Sequence, residues 1–119
     1  MKPSRTPDLL RGTLDMMILK AISLGPMHGH GVARRIRVMS GDVLDAQEGS
    51  LYPALHRLLT RGDLVAEWKQ SDSNRRARFY RLTAAGRRRL NREQSMWADM
   101  RNAIDCVMST RRLPQGDIS

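Results

Sequence analysis

Residues 47–63, Gln-Glu-Gly-Ser-Leu-Tyr-Pro-Ala-Leu-His-Arg-Leu-Leu-Thr-Arg-Gly-Asp, gather hydroxyl, phenol, imidazole and guanidinium groups within a few turns of chain. Leu51, Leu55, Leu58 and Leu59 recur at helical spacing and form one apolar stripe. Ser50 stands before the stripe as an N-cap, and Gly62 follows it as a stop. Pro53 then falls in the first turn, where its missing N–H has no helical partner to lose. Opposite the leucines lie Ser50, Pro53, His56, Arg57 and Thr60, with Tyr52 on the flank. A helix with that division suits the edge of a nucleic acid groove, where arginine and histidine can reach base edges. An ordinary solvated surface helix is the plainer alternative.

Other chemistry finds less support. His28 and His30 are two residues apart, and i, i+2 positions do not face the same way on a helix. With no further ligand cluster, they read as turn or capping residues and no metal is expected. The single cysteine, Cys106, excludes an intramolecular disulfide and a cysteine zinc cluster. Scattered histidines and the absence of paired carboxylates leave no convergent catalytic group, so no enzyme and no cofactor are expected. The formal charge of +9 over 119 residues, carried mainly by arginine, points to phosphate-bearing partners. No apolar run approaches membrane-spanning length, and residues 1–8 do not resemble a signal peptide. A cytoplasmic, nucleoid-associated protein is expected.

The elements around the central stretch follow from periodicity. Residues 9–24 read as a core helix with Leu10, Leu14, Met17, Ile18, Ala21 and Ile22 in register, ended by Gly25-Pro26. Apolar residues on several of its sides suggest cover on more than one face. A turn at residues 27–31 leads to a helix over 30–39, with Val32, Ile36 and Met39 inward and Arg34, Arg35 and Arg37 largely outward. That helix and the 50–61 helix form a helix-turn-helix pair whose second member would read DNA. The period then changes to two. Leu64, Ala66 and Trp68 alternate with Val65, Glu67 and Lys69, and Tyr80 and Leu82 alternate with Phe79 and Arg81. Two strands joined by a turn bearing Arg75, Arg76 and Arg78 make a wing suited to phosphate or minor-groove contact, or else a solvated tip.

A last helix is expected over 83–108, capped by Thr83. Arg87, Arg88, Arg89 and Arg92 make its first half basic. Leu90, Trp97 and Ile104 are spaced by seven, with Met100 and Val107 three residues after two of them. This seam suggests packing against a second copy, with a helix folded back on its own domain as the alternative. The fold expected is mainly α with a small β-hairpin: a winged helix-turn-helix over 9–83, a dimerisation helix over 84–109, and flexible ends at 1–8 and 110–119.

Several of these stretches resemble the PadR family of bacterial transcriptional regulators. They are Leu14-Asp15 with Ile18-Leu19, His28-Gly29-His30-Gly31, the run from Gly49 to Leu58, Arg75-Arg76, the run from Phe79 to Thr83, and Gly86. The single terminal helix looks like the shorter, acidobacterial-type branch. The resemblance implies a homodimer that represses genes from a palindromic operator on double-stranded DNA, paired through the C-terminal helix with help from the N-terminal one. Some multidrug-sensing relatives stack flat aromatic ligands between tryptophans of these helices, and Trp97 matches that position. Trp97 is therefore a dimer-core residue with an effector role as the further option. His30 departs from the tyrosine commonly found there, and no residue matches a phenolic-acid site.

The contacts expected with DNA involve Ser50, Tyr52, Pro53, His56 and Arg57 of the reading helix. Arg75, Arg76 and Arg78 of the wing join them, with Arg34 and Arg35 flanking. Among these, His56 and Arg57 are the candidates for base edges, while Tyr52 suits a phosphate or packing role. The dimer seam comprises Leu90, Trp97, Met100, Ile104 and Val107. Two rivals stay open: a module that coats DNA or RNA without choosing sequence, and a winged-helix domain that binds protein.

Overall fold

The computed structural model describes residues 8–70 and 72–116, with side chains from residue 12 onward. Helix α1 spans Asp8–Ser23, and a two-residue strand β1, Met27–His28, connects it to α2, Gly29–Met39. Helix α3 covers Glu48–Arg61. Strands β2, Leu64–Gln70, and β3, Arg76–Leu82, form the hairpin, and α4 runs from Ala84 to Ser109. The mainly α architecture with a small hairpin and a long terminal helix is the one expected. Strand β1 is an addition. It pairs antiparallel with β3, Met27 opposite Tyr80, giving a three-stranded sheet in the order β1-β3-β2.

The core explains the order of the elements. Leu14, Ile18, Leu19, Ala21 and Ile22 of α1 are buried with Val32 and Ile36 of α2 and Leu51, Ala54, Leu55 and Leu58 of α3. Leu64, Tyr80 and Leu90 close the cluster from the sheet and from α4. Helix α1 touches α2, α3, α4 and β3, which accounts for apolar residues on several of its sides. In the hairpin, Leu64 pairs with Leu82 and Ala66 with Tyr80, so one face of the ladder packs on the helices. The same face continues outward to Trp68 opposite Arg78 and Gln70 opposite Arg76, beyond the core.

Two boundaries of α3 differ from expectation. Its N-cap is Gln47, with no side-chain capping bond, and Ser50 lies inside the first turn. Starting at Glu48 also moves Pro53 into the second turn, where its absent N–H would have met the Gly49 carbonyl. The stop is as expected: Gly62 adopts φ 84°, and its N–H and that of Asp63 close on the Leu59 and Leu58 carbonyls.

Thr83 caps α4 as expected, its hydroxyl accepting the Gly86 N–H at 2.9 Å. That hydroxyl also lies within bonding reach of the Gly62 and Asp63 carbonyls, tying the end of α3 to the start of α4. A Cβ at Gly86 would run into the Asp63 carbonyl, so only glycine allows this approach. Buried Asp63 faces Arg89 Nε at 2.7 Å, an ionic contact off the axis of a well-aligned hydrogen bond. Beyond these anchors α4 leaves the core, and the molecule extends to 64 × 38 × 23 Å. Of the ends expected to be flexible, residues 1–7 and 117–119 lie outside the described residues, while Asp8 already belongs to α1 and residues 110–116 are exposed. No helix among the described residues is long and apolar enough to cross a membrane.

Candidate nucleic-acid interface

The candidate interface draws on three elements packed on the core: α3, the start of α2 and the hairpin. Helix α3 turns Leu51, Ala54, Leu55 and Leu58 inward, leaving Pro53, His56 and Thr60 on its exposed side. Tyr52 projects from the flank toward the start of α2. Its ring lies so close to Gly29 that a Cβ there would come within 2.6 Å of the phenol oxygen, so a larger residue would displace it. His30 meets the Tyr52 ring edge-on, with centroids 6.4 Å apart. Burial first, then the Glu48 carboxylate and Tyr80, push the Tyr52 phenol above its ordinary pKa. The hydroxyl therefore stays protonated at neutral pH and can donate to an anionic oxygen.

The start of α2 has its own anchor. His28 is the N-cap, and its Nδ1 accepts the Gly31 N–H at 3.1 Å while its ring packs edge-on against Phe79. Among the described residues no cluster of three His, Cys, Asp or Glu could hold an ion.

Between α2, Tyr52 and the hairpin runs a groove of about 510 Å³, lined on its charged side by Arg34, Arg75, Arg76 and Arg78. His28, His30 and Tyr52 also face it, and Asp72 is the one acidic residue in its lining. Arg76 lies 5.5 Å over the Trp68 ring, which is itself 60% exposed, so the guanidinium is stacked and partly oriented. The residue pattern did not single out Trp68 for this role. Its outward position on the core-facing side of β2 is the signal that was available.

Three expected site residues, Arg57, Arg35 and Leu90, are engaged within the chain's own fold. Arg57 does not point out from α3. Its Nη2 bonds Asp15 Oδ1 of α1 at 2.8 Å, and Arg61 Nη2 bonds the second oxygen at 2.7 Å. A buried carboxylate demands such partners, and this demand draws Arg57 away from the exposed side of α3. Arg35 is likewise turned inward, donating to the Ala21 and Gly25 carbonyls at 2.8 and 2.6 Å to fasten the turn after α1. Ser50, half-buried, is not the cap. Leu90 belongs to the core of its own chain at 5% exposure. The rest of the seam is exposed: Trp97 at 36%, Ile104 at 43%, with Met100 and Val107 beside them. Trp97 and Met100 also line an apolar crevice of about 240 Å³ between α1 and α4, shared with Thr13, Met16, Glu93 and Met96.

A helix-turn-helix pair, a basic wing and a long terminal helix are features many regulators share. The family model for PadR-like transcriptional regulators matches residues 18–92. The chain belongs to that family. PadR-like proteins are DNA-binding transcriptional regulators and not enzymes, and this chain is one of them. It is similar to an uncharacterized protein of Lysinibacillus sphaericus, with 26% identity over 85% of this chain and 93% of that one. Among solved structures it is similar to a PadR family transcriptional regulator from Eggerthella lenta, with 26% identity, TM-score 0.71, and 87% and 88% of the two chains covered. A transcriptional regulator from Clostridium thermocellum shares the fold, with TM-score 0.74, 24% identity, and 83% and 96% covered.

Proposed function

We propose that this PadR-like regulator is a homodimeric repressor that occupies a palindromic operator. The observation that carries the reading is the juxtaposition on one side of the molecule. There Tyr52 of α3 lines a groove with Arg34, Arg75, Arg76 and Arg78, and on the same helix it stands next to exposed Pro53 and one turn before exposed His56. Helix α3 enters the major groove with His56 as base-edge reader and Pro53 setting the approach. Tyr52, Arg34 and the wing arginines hold the flanking phosphates, which supply affinity without sequence information. Residues 9–83 act as the reading unit and 84–109 as the pairing helix, and the protein works in the cytoplasm on the nucleoid.

Dimerisation has a physical motive in α4. Trp97, Met100, Ile104 and Val107 form an apolar strip that the chain's own core does not cover. Pairing two such strips sets the reading helices roughly 34 Å apart, one turn of DNA. A small aromatic effector seated against Trp97 in the α1–α4 crevice would relieve repression by favouring a spacing that fits DNA poorly. Contacts confined to phosphates would instead produce a non-specific coat on DNA or RNA.

The test is binding of the purified protein to its own upstream DNA and to a scrambled duplex of equal length. If that DNA is not the operator, a fragment selected from the genome replaces it. A preference of about a thousandfold or more is expected of a sequence-reading repressor. Equal binding of the selected fragment and the scrambled duplex contradicts it.

A further inference from the structure

Helix α3 carries two arginines, Arg57 and Arg61, and both close on the same carboxylate. The Asp15 side chain is 8% exposed, whereas those of Arg57 and Arg61 are 34% and 36% exposed. The carboxylate cannot do without its partners, while each guanidinium could reach solvent if released. Each oxygen of Asp15 is engaged by a different arginine, so neither cation is spare. The consequence for the reading helix is a face almost bare of strong cations: Pro53, His56 and Thr60. The fixed positive charge near it resides in Arg34 and the wing arginines.

We infer that Asp15 is a specificity-determining residue, which withholds the two arginines of α3 from DNA phosphates. The inference rests on α3 reading DNA, as proposed above. Phosphate contacts raise affinity for every duplex alike, and a guanidinium free to swing on the reading helix would find a phosphate in any sequence. By locking both into the α1–α3 contact, Asp15 leaves α3 to bind where its shape and uncharged groups fit. Non-specific attraction is then left to the groove and wing. Asp15 touches no DNA and acts through Arg57 and Arg61.

The experiment compares wild type, D15N, D15E and R57M on the operator and on the scrambled duplex across a salt series, with thermal melts to verify folding. D15N removes the negative charge that pairs both guanidiniums and leaves one acceptor oxygen for two donors. Affinity for the scrambled duplex should rise, and its salt dependence should steepen by roughly one to two units of slope. Operator preference should fall by about tenfold or more, and D15E should restore the wild-type pattern. A residue with a merely structural role gives a parallel loss on both duplexes at unchanged slope, and that result overturns the inference. If D15N does not fold, R57M decides. A sequestered Arg57 leaves the salt slope and the preference unchanged, whereas a slope shallower by about one unit or a lost preference overturns the inference. Wild type that binds both duplexes alike removes base reading by α3, and this inference with it. A wild-type preference that D15N leaves intact overturns this inference alone.

Discussion

Helices α3 and α4 carry apolar stripes of similar sequence character and meet opposite fates. In α3, Leu51, Ala54, Leu55 and Leu58 are all at 1% exposure or less, filled in by α1, α2 and the sheet. In α4, only Leu90 and Gly86 are buried, and the stripe beyond them stays open, with Val107 at 71%. A periodic stripe states that a helix has a partner. It does not state whether the partner lies in the same chain. Distance along α4 decides here, because the helix is anchored at Thr83, Gly86 and Arg89, meets α1 only partly around Trp97 and Met100, and is exposed from there to Val107.

Substitutions on the two stripes should therefore behave differently. Leu55→Ala opens a cavity under α3 and should cost about 2–5 kcal/mol, seen as a lower melting point at every protein concentration. Loss that varies with concentration would place Leu55 at an interface instead. Ile104→Glu puts a charge in the open seam and should leave a folded monomer whose operator affinity is about a hundredfold weaker or worse. Light scattering that still reports a dimer would contradict pairing through the seam.

Smaller effects sharpen the contrast at the anchors. Thr83→Ala removes the cap of α4 and should cost about 1 kcal/mol of stability in denaturant melts, with operator affinity changed only through folding. Tyr52→Phe should weaken operator binding by about 0.5–1.5 kcal/mol. The penalty should be constant between about pH 6 and 9, because the phenol titrates above its ordinary range near 10 and donates throughout. A penalty that disappears toward the upper end would show the phenol ionising there.

The helices, the alternation within the hairpin strands and the Thr83 cap were legible because each rests on local periodicity or a local capping residue. Strand β1 was not, since two residues carry no period and its pairing with β3 depends on chain some fifty residues away. The start of α3 misled because Ser50 is a better capping residue than Gln47, yet the backbone turns at Gln47. The helical position of Arg57 alone points to DNA. Its destination depends on Asp15, 42 residues earlier, whose burial no local pattern reveals. Leu90 shares the heptad of Trp97 and Ile104, but it alone lies where α4 crosses the core. The basic groove was partly legible: the wing arginines and Arg34 line it, while Arg35 spends its donors on two carbonyls.

Two copies joined along α4 are expected to set two α3 helices into successive major grooves. Hydroxyl-radical footprinting of the operator tests it most directly. Two protected patches on one face of the duplex, centred about 10–10.5 base pairs apart, are the result expected. A single patch, or uniform protection along any duplex, would contradict it.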